Sequence, residues 1–386
     1  MKALRFDRKP LRYAAAFVAS SITPGRGGAW GPLELVDDDE IALPGPDWVR
    51  LAPRLSGICG SDLATIDARA SRYFEPIVSF PFTPGHEVVA TTPDGRRVVV
   101  VPVLSCVTRG IAPLCTMCEA GRINLCERVA FGHLQPGLQS GFCADTGGGW
   151  STAMVAHPSQ LVDVPDDLSD EAAVMIEPTA CAVHAADRYT GGETVIIGAG
   201  TLGLLSLAAI AVKRETDHAD AKAPIIVTAK YAEQRRLATL LGADIVCEPD
   251  ELPRVARRLT GSMAVGNQLT SGVSQVVDCV GSSTSIEQAL KIAAPGGDVL
   301  LVGMPAKVTL ELTGLWHRET SIRGCYAYER ADFDRAIDVV RRFDLGRLVS
   351  AMYPLRDYCD ALEHAASAGR RGAVKVAFDM RTEKHR

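Results

Sequence analysis

The chain is poor in aromatic residues and has no long run of one charge or of apolar side chains. Aromatic residues make up 6% of its 386 residues, and the formal net charge is −5. No basic run can follow a phosphate backbone, so we expect no nucleic-acid partner. No apolar run approaches the ~20 residues of a membrane-spanning helix, so we expect no membrane partner. Internal repeats and low-complexity segments are missing too, which leaves the ordinary globular classes.

A convincing export signal is also missing. The apolar patch at residues 13–19 follows basic residues, but no small-residue cleavage site comes before Pro24 and Gly25. Hydrophobic residues make up 47% and charged residues 23% of the chain, a balance typical of globular proteins with large cores. We therefore expect a soluble cytoplasmic protein, and its length predicts two or three domains.

Cysteine is abundant, with eleven residues. Four of them lie between Cys106 and Cys126, whereas most of the others are scattered in apolar surroundings. In a chain without an export signal, clustered cysteines indicate metal ligands and scattered cysteines indicate small core residues. Disulfides are not expected, because a reducing compartment keeps thiols free.

The first part of the chain, up to about Leu168, has short apolar runs broken by Gly and Pro, which predicts a mostly β domain. Asp94-Gly95 between two such runs predicts a hairpin. From Ser169 the pattern changes to helix, with Ser169 as a plausible N-cap.

From Glu193 onward, apolar strands alternate with helices, which predicts a parallel sheet covered on both faces. The polar stretch 214–223 interrupts this alternation and is interpreted as a surface loop. From Ala331 the chain returns to helix and short strand.

A glycine motif, Gly198-Ala199-Gly200-Thr201-Leu202-Gly203, follows an apolar strand and opens an apolar helix. In this context Gly198 permits a tight turn, Gly200 lets the backbone approach a pyrophosphate, and Gly203 lets the helix pack on the strand. The phosphates would then lie on free N–H groups at the helix start, Thr201 and Leu202. The alternative is a glycine turn without a ligand.

The end of the second strand of this unit favours NADP over NAD. NAD-binding units carry an acid there, but this chain has Ala229-Lys230-Tyr231. Lys230, with Arg235 or Arg236, can pair with a 2′-phosphate that a carboxylate would repel. The alternative is that Lys230 is an ordinary solvated lysine.

Cysteine, histidine and glutamate together predict a catalytic zinc site. Cys59 and His86 are good zinc ligands, and Glu177 stands at a helix start just before the dinucleotide unit. A catalytic zinc takes three protein ligands and keeps one position open. Taken singly, Cys59 fits a core position and Glu177 a helix-start acid. A zinc nucleobase deaminase is set aside, because its signature is H-x-E whereas His86 and Glu87 are adjacent.

Four more cysteines have the spacing of a closed structural zinc site: Cys106, Cys115, Cys118 and Cys126. Four thiolates also suit an iron–sulfur cluster. Zinc is favoured because nothing else in the sequence indicates electron transfer.

These motifs resemble one known family. GICGSD, PGHE, the four cysteines, IEPTACAVHA, VIIGAGTLG, DCVG and GGDVLLVG follow the order found in zinc-containing medium-chain alcohol dehydrogenases. The resemblance covers about residues 54–328. It implies an α/β fold with a GroES-like, mostly β catalytic domain at 1–185 and 331–386. A Rossmann domain with a doubly wound parallel sheet would occupy 186–330.

The resemblance also implies roles for the zinc residues. Cys59, His86 and Glu177 would bind the catalytic zinc, and Asp62 would orient His86. Glu87 would be either an alternative ligand or a group that supports the ligands from outside. The glutamate of IEPTA, where ethanol-type enzymes carry cysteine, resembles the polyol, threonine and glucose dehydrogenase branch.

The implied reaction is hydride transfer between an alcohol or polyol and NAD(P). Ser61 matches the position that relays the alcohol proton, and the nicotinamide would lie beside residues 278–281, including Val280 and Gly281. Assembly as a homodimer or homotetramer is expected by resemblance. Two alternatives stay open. One is a zinc-independent quinone or enoyl reductase on the same fold, and the other is a non-enzymatic protein that binds zinc and nucleotide.

Three features depart from the family. Eight residues separate Cys106 from Cys115, where the family usually has two. Ala64 occupies the position where many relatives carry a histidine of the proton path. Residues 131–151 form a longer and more Gly-rich segment than expected, which we interpret as shaping the substrate pocket.

Overall fold

The computed structural model describes residues 1–217, 223–266, 268–305 and 307–383. The chain divides into two units, Met1–Glu177 with Tyr328–Arg386, and Pro178–Ala327. The domain limits expected above, 1–185 with 331–386 and 186–330, stay a prediction.

The first part of the chain is built mainly of strands with short helices between them. In chain order its elements are β1 Lys2–Phe6, α1 Pro10–Ile22, α2 Gly27–Trp30, β2 Leu33–Asp37, β3 Val49–Gly57, α3 Gly60–Ile66, β4 Val88–Thr91, β5 Arg97–Val100, α4 Thr116–Glu119, β6 Met154–Ala156, β7 Leu161–Asp163, α5 Asp170–Ala173 and α6 Ile176–Ala186.

The central part alternates strands and helices. Its elements are β8 Thr194–Ile197, α7 Thr201–Asp217, β9 Ile225–Thr228, α8 Ala232–Leu240, β10 Ile245–Cys247, α9 Leu252–Thr260, β11 Ala264–Val265, β12 Gln268–Leu269, β13 Val273–Asp278, α10 Ser283–Ile292, β14 Ala293–Leu301, α11 Thr313–His317 and β15 Ser321–Gly324.

The last part returns to the first unit. It contains α12 Asp332–Phe343, β16 Val349–Tyr353, α13 Tyr358–Ala366 and β17 Lys375–Asp379. Short 3₁₀ helices lie at Arg72–Ile77, Ile123–Leu125, Pro158–Gln160, Pro249–Glu251, Leu345–Leu348, Leu355–Asp357, Ala368–Arg371 and Met380–Thr382.

The sheet of the first unit joins both ends of the chain. Among the described residues its strand order is β16-β17-β3-β4-β5-β7, and β6 also pairs with β3. Strand β17 pairs antiparallel with β3, which continues into the loop that carries Cys59. The hairpin predicted at Asp94-Gly95 is confirmed, because β4 and β5 pair antiparallel on either side of it.

The sheet of the second unit is parallel, with the order β10-β9-β8-β13-β14-β15 in the described residues. Counted along the sheet's own strands, this is the order 3-2-1-4-5-6 of a dinucleotide-binding fold. The strand order reverses between β8 and β13, and ligands of such sheets bind beyond the carboxyl ends of the strands at that point. The chain turns at residues 198–200 and 279–281 lie there.

The structure corrects three expectations. Helix α1, with Pro10 in its first turn, lies in the region expected to be mostly strand. The helix expected from Ser169 is split: Ser169 caps α5 by accepting from Ala172 N, but a new helix begins at Ile176. The loop expected at 214–223 is wrong for its first residues, because α7 continues to Asp217. Residues 218–222 lie outside the described part.

No helix within the described ranges combines the length and the apolar character needed to cross a membrane.

Candidate metal and cofactor sites

Cys59, His86 and Glu87 come together in the first unit. One potential ligand atom from each lies within 4.8 Å of the others. Cys59 is the N-cap of α3, while His86 and Glu87 immediately precede β4. Because β3 and β4 are paired neighbours, the segments next to their adjoining ends meet. His86 and Glu87 are buried.

Asp62 supports two of these residues. Its Oδ2 accepts a hydrogen bond from the Cys59 backbone N–H at 3.0 Å, and its Oδ1 lies 3.3 Å from His86 Nδ1. Burial works to lower the pKa of His86, but the charge and hydrogen bonding of Asp62 outweigh it and raise that pKa. Since Asp62 faces Nδ1, Nε2 is the ring nitrogen left for a metal.

Lys375 is a member of this site that the sequence analysis missed. Its Nζ forms an ion pair with Glu87 Oε2 and donates to the Ile58 carbonyl at 3.3 Å. Lys375 is 2% exposed and Glu87 1%. A Cβ on Gly57 would lie 1.8 Å from Glu87 Oε2, so only glycine leaves room for the pair. The available signal was a lysine inside the apolar run GAVKVAF.

Glu177 is buried nearby but is not one of the three residues grouped within 4.8 Å. Its Oε1 accepts from the Tyr328 hydroxyl at 2.7 Å, and Tyr328 was also missed by the sequence analysis. Burial, with a contribution from the charge of Glu87, raises the pKa of Glu177 to about 7.

The charge of this site fits a divalent cation. Two buried carboxylates, Glu87 and Glu177, lie near the buried ammonium of Lys375, while a third, Asp62, faces His86. Glu87 Oε2 and His86 Nδ1 are buried without a well-aligned hydrogen bond. Buried anionic groups in excess are stable only when a cation offsets them, and Cys, His and Glu are the donor types that zinc prefers.

Ser61 lies in the first turn of α3, two residues after Cys59, and is partly exposed. Ala64 is one turn further along the same helix. The Ser61 carbonyl accepts a hydrogen bond from Thr65 Oγ1 at 2.9 Å, and within the described residues the Ser61 hydroxyl has no hydrogen-bond partner.

The four clustered cysteines form a second buried group, Cys106, Cys115, Cys118 and Cys126, with all sulfurs within 4.8 Å of one another. The Sγ atoms of Cys106 and Cys126 are 3.7 Å apart. Tetrahedral zinc with Zn–S bonds of about 2.3 Å requires sulfurs about 3.8 Å apart. Burial works to raise the pKa of Cys115, but hydrogen bonds from the backbone of Glu127 and Cys118 lower it to about 6. The group therefore fits a tetrahedral metal.

The glycine motif of the second unit makes the predicted turn. Gly198 has φ +92°, and a Cβ there would lie 2.5 Å from Val280 Cγ2. A Cβ on Gly203 would lie 1.8 Å from the Gly198 carbonyl oxygen, whereas a Cβ on Gly200 would meet nothing within 4 Å. Helix α7 begins at Thr201, followed by Leu202. The open face at Gly200 is thus the place where a diphosphate can approach.

Asp278 holds the neighbouring turn. Its Oδ1 accepts from the backbone N–H groups of Val280 at 2.9 Å and Gly281 at 3.3 Å, and its Oδ2 accepts from Ser285 Oγ at 3.0 Å. The predicted residues Val280 and Gly281 therefore lie beside the glycine motif.

Lys230 and Arg235 differ in their availability. Lys230 is exposed, with Nζ 5.9 Å from the Tyr231 ring centroid. Arg235 donates to the carbonyls of Ala229 at 3.2 Å and Lys230 at 3.0 Å, and it forms an ion pair with Glu248. In this arrangement Arg235 braces the loop that presents Lys230.

Comparison with known proteins decides the family. Residues 45–166 match the alcohol dehydrogenase GroES-like domain, and residues 218–342 match the zinc-binding dehydrogenase family. An uncharacterised zinc-type alcohol dehydrogenase-like protein of Haemophilus influenzae is 30% identical over 307 residues, covering 74% of this chain and 77% of that protein. The chain belongs to the zinc-containing medium-chain alcohol dehydrogenases. This family assignment, predicted from the motifs, is confirmed.

One further relative agrees with this assignment, and a solved structure shows the same fold. L-idonate 5-dehydrogenase of Vitis vinifera is 29% identical over 360 residues, covering 87% of this dehydrogenase and 89% of the relative. A crystal structure of a zinc-binding dehydrogenase from Sinorhizobium meliloti 1021, bound to NADP, superimposes with a TM-score of 0.70 at 24% identity and covers 98% of each chain. The predicted α/β fold class is confirmed, and this dehydrogenase is a zinc-dependent, NAD(P)-linked oxidoreductase.

Proposed function

We propose that this dehydrogenase interconverts a primary or secondary alcohol, with polyols as the first candidates, and its carbonyl compound. The catalytic zinc would be held by Cys59, His86 and a buried carboxylate. The observation that carries the proposal is the grouping of Cys59 with the buried His86 and Glu87, near Glu177, where the two buried glutamates outnumber the ammonium of Lys375. Polyols come first because relatives are named L-idonate 5-dehydrogenase and sorbitol dehydrogenase.

Of the two carboxylates, Glu177 is the preferred third ligand. Glu87 shares its negative charge with Lys375, which weakens Glu87 as a donor to a metal. The partner of Glu177 is the neutral Tyr328 hydroxyl, so within the described residues no buried cation competes with a metal for this carboxylate. Glu87 then serves as the alternative ligand.

When bound, zinc polarises the substrate oxygen as a Lewis acid, and the nicotinamide takes up or releases the hydride. Asp62 keeps His86 oriented with Nε2 available. Ser61 Oγ accepts the proton that leaves the alcohol and passes it outward. The four clustered cysteines are proposed to hold a second, structural zinc. Assembly as a homodimer or homotetramer is proposed by resemblance.

For the cofactor we propose NADP over NAD. The exposed Lys230 would pair with the 2′-phosphate, and Arg235 would contribute by fixing the Lys230 backbone rather than by touching the phosphate. No acidic residue stands at positions 229–231 to bind ribose hydroxyls.

The test is a turnover screen of zinc-replete enzyme. Polyols, sugars, hydroxy amino acids and simple alcohols are each offered with NAD and with NADP, and the absorbance of the reduced cofactor is followed. We expect turnover with NADP preferred, and loss of turnover in Glu177→Gln. Lys230→Ala should raise the KM for NADP about tenfold or more, since a charge-assisted contact contributes about 1.5–3 kcal/mol. Arg236→Ala is the matched control, because Arg236 is engaged with Glu233.

Each result separates one part of the proposal. Turnover that prefers NAD contradicts the Lys230 argument but leaves the zinc chemistry standing. If Glu177→Gln keeps full activity, Glu87 and not Glu177 is the third zinc ligand. Turnover of quinones or enones without zinc would favour the zinc-independent reductase, and zinc and NADPH binding without any turnover would favour a non-enzymatic role.

A further inference from the structure

Near its end the Gly-rich segment at residues 131–151 contains Gly147-Gly148-Gly149-Trp150, which the proposed chemistry does not use. Trp150 is fully buried. Its backbone N–H donates to the Pro84 carbonyl at 3.0 Å, and Gly149 N–H donates to the Gly85 carbonyl at 2.8 Å. The end of the segment therefore lies alongside the two residues that precede His86.

The Trp150 side chain reaches the segment that carries Cys59. Its Nε1–H donates to the Gly57 carbonyl at 3.2 Å. The N–H of the same Gly57 donates to the Glu87 carbonyl at 2.9 Å. One residue, Gly57, thus connects the indole to both ligand segments, since Gly57 lies two residues before Cys59.

The same ring also contacts the strand that carries Lys375. Trp150 and Phe378 pack edge to face, with ring centroids 5.0 Å apart. Phe378 lies on β17 with Lys375, and β17 pairs with the end of β3 at Gly57. The fit is close, because a Cβ on Gly85 would lie 2.4 Å from Trp150 Cδ1.

We infer that Trp150 is a positioning residue that fixes the spacing between Cys59 and the His86–Glu87 pair. Its indole is hydrogen-bonded to the first segment and packed against Phe378 on the strand of Lys375, and its backbone is paired with the second segment. The hydrogen bonds that Trp150 makes with these segments go to backbone carbonyls, so it acts through the backbone that carries the ligands. The inference rests on the proposed zinc site, and it gives the end of residues 131–151 a role in building that site. The substrate-pocket role expected for this segment from the sequence stays a prediction.

The test measures zinc retention rather than turnover. Wild type, Trp150→Phe and Trp48→Phe are dialysed against a graded series of chelator concentrations, and zinc per chain is counted. Trp150→Phe keeps an aromatic ring but removes the N–H. Trp48 is the matched control, because it is 4% exposed and packs in a different cluster with Leu104 and Leu134. A Cys59→Ser variant identifies the zinc that belongs to this site.

We expect Trp150→Phe to lose that zinc at about tenfold lower chelator concentration than wild type, because groups that orient ligands change metal affinity tenfold to a hundredfold. Trp48→Phe should match wild type. Retention in Trp150→Phe equal to wild type overturns the inference and leaves the proposed site intact. If Cys59→Ser retains as much zinc as wild type, the proposed site itself is wrong, and the inference is overturned with it.

A second measurement needs no substitution at Trp150. The chain has four tryptophans, so wild type labelled with 5-fluorotryptophan gives four fluorine resonances. Phe variants of Trp30, Trp48 and Trp316 assign the fourth line to Trp150. We expect this line to move more than the other three when the zinc bound through Cys59 is removed. A Trp150 line that stays in place overturns the inference even if Trp150→Phe does not fold.

Discussion

The buried Lys375–Glu87 ion pair bears on the stability of the fold, because each charge offsets the other. Both residues are almost fully buried, and Lys375 has a second partner in the Ile58 carbonyl. Burial works to lower the pKa of Lys375, but the charges of Glu87 and Cys59 outweigh it and raise that pKa. A buried pair gives little net stability compared with apolar residues, but breaking it leaves an uncompensated charge.

We predict that Lys375→Met lowers the free energy of unfolding by about 3 kcal/mol, because Glu87 is left buried without its cation. Glu87→Gln should lower the free energy of unfolding by a similar amount, because Lys375 is then left buried without its anion. The double variant Lys375→Met/Glu87→Gln should lose clearly less unfolding free energy than the two single variants lose together, since both charges are then absent. Urea unfolding in excess zinc chelator measures all four proteins. Additive costs would show that the two charges do not stabilise each other.

Among the elements, the group of four clustered cysteines depends on how residues 107–114, between Cys106 and Cys115, are folded. Arg109, which is 1% exposed, lies within this stretch and donates hydrogen bonds to several backbone carbonyls. Its partners include Leu104 at 3.1 Å, Phe131 at 3.0 Å and Gly137 at 2.6 Å. The extra residues between Cys106 and Cys115 are therefore anchored, and Cys106 still joins the other three sulfurs.

We predict that Cys106→Ser removes one zinc per chain and lowers the melting temperature as much as Cys118→Ser does. A four-thiolate site that loses one ligand is open to water and binds its metal less tightly. Cys143→Ser is the control, because Cys143 is buried but lies outside the group. Zinc content and thermal unfolding are measured together. A Cys106→Ser protein that keeps both zincs would show that the site needs only three cysteines, and bound iron would favour the iron–sulfur alternative.

The sequence predicted elements best where pattern and local chemistry agree. The strand at 194–197, the glycine turn and the hairpin at Asp94-Gly95 are signalled by neighbouring residues and form as expected. Helix α1 was missed because its buried face consists of small residues, Ala16 and Ser20, which give no apolar periodicity. The partners of the carboxylates, Lys375 and Tyr328, were missed for a different reason. They come from the distant end of the chain, and only folding brings them to Glu87 and Glu177.

At the scale of the whole first unit, one carboxylate joins the two ends of the chain. Asp170, which is 5% exposed, accepts hydrogen bonds from Arg54 at 2.9 Å, Arg97 at 3.3 Å and Arg381 at 3.0 Å. Arg54 and Arg97 belong to β3 and β5, whereas Arg381 follows the last strand, β17. Burial works to raise the pKa of Asp170, but the bonds and charges of Arg54 and Arg381 outweigh it and lower that pKa.

This network predicts a pH-dependent stability. A carboxylate whose pKa is lower in the folded state stabilises that state above its ordinary pKa of 3.8, and the contribution is lost as the pH falls through the folded-state value. Asp170→Asn keeps the shape but removes the charge, so it should cost about 2 kcal/mol at neutral pH, the scale of a charged hydrogen bond. The difference in unfolding free energy from wild type should shrink steadily as the pH is lowered below about 4.

Denaturant unfolding across a pH series measures this difference. Asp167→Asn is the control, because the Asp167–Arg341 pair is exposed and should contribute nothing measurable. A cost that is the same at every pH would mean that Asp170 acts through its shape and hydrogen bonds, and that its charge does not hold the chain ends together.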